Sequence, residues 1–374
     1  MGCLDKAYNE YEKKLYAISD KQIFTPKIVN ELFGDLLRIL PNNGKLYKYK
    51  ALKTFHIDEL ENKYIWFSSA KQLNDKKDCT FNANSLEVQE KIVKFLCKGD
   101  NYRRFVACEA YLVLSRSHSN ITLEIVEKCL SGFYGNNPLH LGTYFNAFCL
   151  QYQLTNEERE KLWKSAHLYG YAENEVAIRN SMANFPAQIR EVRDSMLVCS
   201  LTTSYDKDSM WAYYCGNEGL CIEYDYSKIQ SYELKKIFMQ TQKVRYGKKK
   251  KINQLDIIKL KMECTQDSIA QADKLINSQL LTKDKSWSME EEWRIIRNMR
   301  GNYIGAQQFA DIISAIYLDY SILNKRKTKQ IIHLAKENGW NIFVRYFDEL
   351  NAEYRYDTIK NIGVLISNKK HVIT

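Results

Sequence analysis

Proline and glycine are scarce in this chain, with four and fifteen among 374 residues. That excludes linker-rich and low-complexity architectures, which depend on those two residues. No apolar run approaches the roughly 20 residues that a membrane-crossing helix needs, so no membrane partner is expected. The opening residues include Asp5, Lys6, Glu10 and Glu12. They interrupt any export-signal core, and a cytoplasmic location is the expectation. Met1-Gly2-Cys3 would suit double acylation, but Lys6 stands where the myristoylation pattern wants Ser or Thr. The ten cysteines include no CxxC pair, and without an export signal they read as reduced thiols used as small apolar residues. The histidines (His56, His118, His140, His167, His333 and His371) lie far apart. None has zinc-ligand spacing to another histidine or to a cysteine pair, so no metal is expected.

What is present points to a globular chain. Hydrophobic residues make up 45% and aromatic residues 13%, enough to bury a substantial core in one large domain or two interlocked ones. The net charge of +10 owes part of its excess to Lys248, Lys249, Lys250 and Lys251, and part to Lys325-Arg326-Lys327 with Lys329. Such clusters suit phosphate contact and a nucleic-acid or protein target. A solvated basic loop is the plain alternative, since no recognised nucleic-acid motif accompanies them.

Apolar spacing predicts helices over 4–18 and 27–40. Alternation predicts strands over 45–50 and 64–68, and residues 85–195 read as almost wholly helical. Strands return at 196–200, 219–224, 243–246, 292–296, 313–318 and 341–346, with one long helix over 252–281 and another over 322–338. The expected fold is α+β. Helices over 1–40 precede a split central sheet core formed by 41–84 and 196–374, and residues 85–195 form a large all-helical insertion.

Four ordered segments carry the chemistry. They are Leu46-Tyr47-Lys48-Tyr49-Lys50, Trp66-Phe67-Ser68-Ser69 leading to Asn74-Asp75, Met210-Trp211-Ala212-Tyr213-Tyr214 with Gly219-Leu220-Cys221-Ile222-Glu223-Tyr224-Asp225, and Lys285 through Arg294. Together they resemble the bacterial domain-of-unknown-function family numbered 2971. One departure is that Lys76 and Lys77 stand where that family has proline and an apolar residue, although Asp78 still supplies the expected acid. The resemblance implies a bacterial cytoplasmic protein, often encoded near defence or toxin genes, with a defence-system or antitoxin partner.

Within the last segment, Glu290, Glu292 and Arg294 would share one face of a strand. A Glu-x-Glu pair entering a strand looks like the closing motif of mono-ADP-ribosyltransferases. That resemblance implies NAD as the nucleotide, with Glu292 stabilising the ribose as nicotinamide leaves and Glu290 activating the acceptor. Lys48 or Tyr49 would take the early cationic position and Ser68-Ser69 the serine motif. Asn74, Asp75, Trp211, Tyr214 and Arg294 would complete the nucleotide site. The same residues also admit structural roles: a register-fixing Glu292–Arg294 pair, a cap or Asx-turn at Asn74-Asp75, core aromatics at Trp211 and Tyr214, and a turn at Gly219. A non-catalytic nucleotide- or nucleic-acid-binding module is therefore the alternative. A metal-dependent nuclease built on Asp75, Asp78 and Glu292 ranks last.

Overall fold

The computed structural model describes residues 3–19, 24–73, 75, 78–79, 86–115, 117–135, 141–183, 194, 196–216, 218–248, 253–298 and 305–361. Two helices open it, α1 (Cys3–Ser19) and α2 (Pro26–Ile39). Thr25 caps α2, its side chain accepting from Ile28 N, and Pro26 occupies the first turn, where a missing N–H costs nothing. Next come β1 (Lys45–Ala51), α3 (Thr54–Glu61) and β2 (Tyr64–Ser69). The helical stretch contains α4 (Leu86–Leu96), α5 (Asn101–Leu114), α6 (Leu123–Gly135), α7 (Leu141–Gln151), α8 (Asn156–Tyr169) and α9 (Glu175–Ala183). The chain then runs through β3 (Met196–Leu201), β4 (Gly219–Asp225), α10 (Tyr232–Phe238), β5 (Thr241–Lys243) and β6 (Arg245–Tyr246). It continues with α11 (Gln254–Glu263), α12 (Gln266–Leu280), β7 (Thr282–Lys283), β8 (Trp293–Asn298) and β9 (Gly305–Phe309). The last elements are β10 (Ile313–Asp319), α13 (Arg326–Glu337), β11 (Asn341–Asp348) and β12 (Glu353–Thr358). The α+β class holds. Among the described residues no helix is long and apolar enough to cross a membrane.

The split core is two five-stranded sheets, ordered β1-β4-β10-β11-β12 and β5-β8-β3-β2-β9. The second is antiparallel throughout, whereas the first has one parallel pair, β10 with β11, joined through α13. Strand alternation decides what lies between the sheets. Leu46 of β1, Leu220 and Ile222 of β4, and Ile316 and Leu318 of β10 meet Phe67 of β2, Leu197 and Cys199 of β3, and Ile295 of β8 in one core. Each such side chain contributes about 1.5–3 kcal/mol on full burial, which makes this cluster the main source of stability around the site. The opposite face of the first sheet carries Tyr47, Tyr49, Cys221 and Tyr317, packed under Trp211.

The helical stretch forms its own cluster around Leu96, Val126, Leu130 and Phe133. Ile258 and Met262 of α11 join it from a distant part of the sequence. Two sequence expectations need correction here. The helix expected over 252–281 is broken, because Cys264 adopts φ 50° and Thr265 caps a new helix, exchanging hydrogen bonds with Ser268. Gly219 is not a turn residue. It is the first residue of β4, paired with Ala51, and a Cβ there would meet Lys50 O at 2.3 Å and Cys215 Cβ at 2.7 Å.

Candidate functional site

At its end β3 passes from one sheet to the other. Thr202, just beyond it, pairs with Tyr47 of β1, each N–H donating to the other's carbonyl at 2.8 Å. Beside this stitch opens a cleft of about 470 Å³, within the size range of small-ligand sites. Its walls include Tyr47, Lys48 and Tyr49 of β1, Ser68 of β2, Ser200 of β3, and Tyr214.

The floor is built by residues 283–294. Asp284 caps a short turn, accepting from Ser286 N at 2.9 Å, and Glu291 ends that turn in the left-handed region with φ 44°. β8 begins only at Trp293. Glu290 therefore belongs to the turn and Glu292 to the approach, so the expected shared strand face is corrected. Their carboxylates still meet, because Lys283 Nζ donates to Glu290 Oε2 at 2.6 Å and to Glu292 Oε2 at 3.3 Å. Arg294 clamps Glu292 with Nε to Oε1 at 2.7 Å and Nη2 to Oε2 at 2.9 Å. The same guanidinium donates to both oxygens of Asp78 and to Leu280 O. Asp78, Glu290 and Glu292 bring three negative charges and Lys283 and Arg294 two positive ones, leaving an excess of one. All five side chains are buried.

That excess falls unevenly on the two glutamates. Burial pushes Glu290 above the usual carboxylate range, and the charge of Glu292 adds to this against hydrogen bonds from Lys283 and Tyr214. Burial also disfavours ionised Glu292, but the charge and hydrogen bonds of Arg294, then Lys283 and Ser200, outweigh it and lower its pKa to about 2. Burial alone would lower Lys283, yet Glu292 and Glu290 raise it. Neighbouring acids pushed in opposite directions are how a site divides its protonation roles.

The wall residues differ in how they are held. Tyr214 donates its hydroxyl to Glu290 Oε1 at 2.6 Å. Lys48, half-buried, donates Nζ to Trp66 O at 3.4 Å and Cys199 Sγ at 3.3 Å. Among the described residues it pairs with no carboxylate. The next lysine on that face, Lys50, pairs with buried Glu59, and burial together with the charge of Lys48 pulls its ammonium down to about 8. Tyr49 accepts from Lys207 N at 3.2 Å.

Of the residues singled out from the sequence, the cleft brings together Lys48, Tyr49, Ser68, Asp75, Tyr214, Glu290, Glu292 and Arg294. It does not include Ser69, whose hydroxyl donates to Asp194 O at 3.2 Å and caps the following turn. Nor does it include Trp211, which is fully buried against Tyr49 and Arg345. Asn74 lies outside the described residues, as do Lys249, Lys250 and Lys251, while Lys248 is exposed. Among the described residues no group of three or more His, Cys, Asp and Glu could hold a metal ion. Asp78 and Glu292 instead share the guanidinium of Arg294.

Sequence reasoning missed Lys283, Tyr213 and Trp287. The lysine quoted from the fourth motif, Lys285, is exposed, whereas the buried one stands two residues earlier. A signal for Trp287 was available, since it is one of two tryptophans in that motif, the other being Trp293.

No curated protein and no solved structure matches the chain. Residues 210–295, which hold Tyr213, Tyr214, Lys283, Trp287, Glu290, Glu292 and Arg294, match a family described as "Protein of unknown function (DUF2971)".

Proposed function

We propose that the cleft binds a nucleotide and that the chain is a bacterial effector transferring ADP-ribose from NAD to a protein or nucleic-acid target. One observation carries this reading: Glu290 and Glu292, tied to one lysine at a cleft floor, have their acidities pushed apart. Glu292, held ionised, would stabilise positive charge developing on the ribose. Glu290, the weaker acid, would take the proton of the acceptor. In the balanced step the bond from ribose C1′ to nicotinamide nitrogen breaks and nicotinamide leaves with the electron pair. The acceptor nucleophile bonds to C1′, and its proton passes to Glu290. Lys48, without a carboxylate partner among the described residues, is the lining cation suited to the pyrophosphate.

A second reading has its own support. Both oxygens of Glu292 already accept from Arg294, and one also from Lys283. A network so fully satisfied suits a non-catalytic nucleotide- or nucleic-acid-binding module of a defence system. The test is to incubate the purified chain with labelled NAD and a cell lysate, with Glu290→Gln and Glu292→Gln beside it. Transfer by the wild type, reduced about a hundredfold or more in each variant, is expected if the pair acts in proton transfer and charge stabilisation. An NAD-dependent rise in melting temperature without transfer favours the binding module. Absence of both sinks the nucleotide reading.

A further inference from the structure

Residues 211–215 form a π-turn, a geometry that recurs at functional sites. Trp211 fills the core, Tyr214 holds Glu290, and Cys215 packs against Gly219. Tyr213 is different. It lines the cleft yet remains 61% exposed, so its ring is not filling a core. That ring stands edge-to-face with Trp287, centroids 5.2 Å apart at 89°. Trp287 in turn carries the Lys283 ammonium 4.9 Å from its ring centre. Tyr213 is thus oriented from one side by a neighbour tied to the charged floor, while much of its surface stays open.

We propose that Tyr213, braced by Trp287, is a stacking shelf for the planar base of a nucleotide at the cleft mouth. This inference rests on the nucleotide reading above and adds the residue that recognises the base. Any nucleobase presents a π-face to such a ring, and stacking is tolerant of base identity. Sugar and phosphate, being polar, would face the floor and Lys48.

The experiment compares AMP with ribose 5-phosphate, which carries a hydroxyl at C1′ in place of the base, by calorimetric titration of the full chain. The wild type is expected to bind AMP more tightly. Tyr213→Ala should weaken AMP by about fivefold or more and leave ribose 5-phosphate within about twofold, while Tyr213→Phe keeps AMP binding. Because Tyr213 is exposed, an unchanged melting temperature of the unliganded variants serves as the folding control. AMP binding unchanged in Tyr213→Ala overturns the shelf and leaves the nucleotide reading standing. Failure of the wild type to bind either ligand overturns the nucleotide reading and the shelf with it.

Discussion

Glu290 and Glu292 are the same residue type two positions apart, and their neighbours make them different acids. For Glu292 the folded chain holds the pKa at about 2 against an ordinary 4.5. A depressed folded value means the charged form is stabilised by folding, so this stability is present above pH 4.5 and is lost as pH falls towards 2. A shift of that size corresponds to about 3 kcal/mol. Urea unfolding of wild type and Glu292→Gln at pH 7 and pH 3 checks it. The variant should lose most at pH 7, and the gap should shrink at pH 3. Glu290 carries the opposite sign, since its raised folded value penalises the ionised form once pH exceeds the unfolded value. Glu290→Gln should therefore cost less at pH 7 than Glu292→Gln. Equal losses would show that the two carboxylates are not divided in this way.

At the scale of elements, the cleft wall depends on how closely the π-turn approaches β1, and Gly219 sets that distance. A methyl group there would sit 2.3 Å from Lys50 O, so either β1 or the turn must move. Gly219→Ala should cost roughly 3 kcal/mol, at the upper end of overpacking. Gly34, in α2 with nothing within 4 Å of an added Cβ, is the control. Its change to Ala should gain up to about 1 kcal/mol. Denaturant midpoints decide, and a neutral Gly219→Ala would mean that the approach can relax. The strands legible in the sequence were those whose alternation reflects burial on one or both faces, such as 64–69, 196–201 and 313–319. β12 went unread although Tyr354 and Tyr356 alternate with Glu353 and Arg355, because it is short, charged and no more than half-buried. The break at Cys264-Thr265 was hidden because apolar spacing runs through it, and its cap uses Ser268 in place of the usual Glu or Gln. The site was legible as Glu290, Glu292, Tyr214 and Lys48, because charge beside aromatic strands is conspicuous. Lys283 was not, being on a two-residue strand, and the Asp78–Arg294 pairing spans 216 positions that no local pattern reports.

At the scale of the whole molecule, the core between the sheets and the core of the helices are separate clusters among the described residues, and α11 shows where the boundary runs. It follows the sheet strands in sequence, yet Ile258 and Met262 pack with the helices of 86–183. Beyond the break, α12 ends at Leu280, whose carbonyl accepts from Arg294 beneath the cleft. The helical layer therefore connects to the charged floor through α12, while its own packing is separate from the residues between the sheets. Leu130 lies at the centre of that layer and is fully buried. Leu130→Ala should cost about 2–5 kcal/mol within it. If the cores open as separate cooperative units, that loss appears locally. Native-state hydrogen exchange should then accelerate in α4 to α9 and in α11, despite the sequence gap between them, while β3, β4 and β10 keep their protection. Equal loss of protection in those strands would make the chain one cooperative unit. Retained protection in α11 alone would mean that its two buried side chains do not couple it to the helical layer.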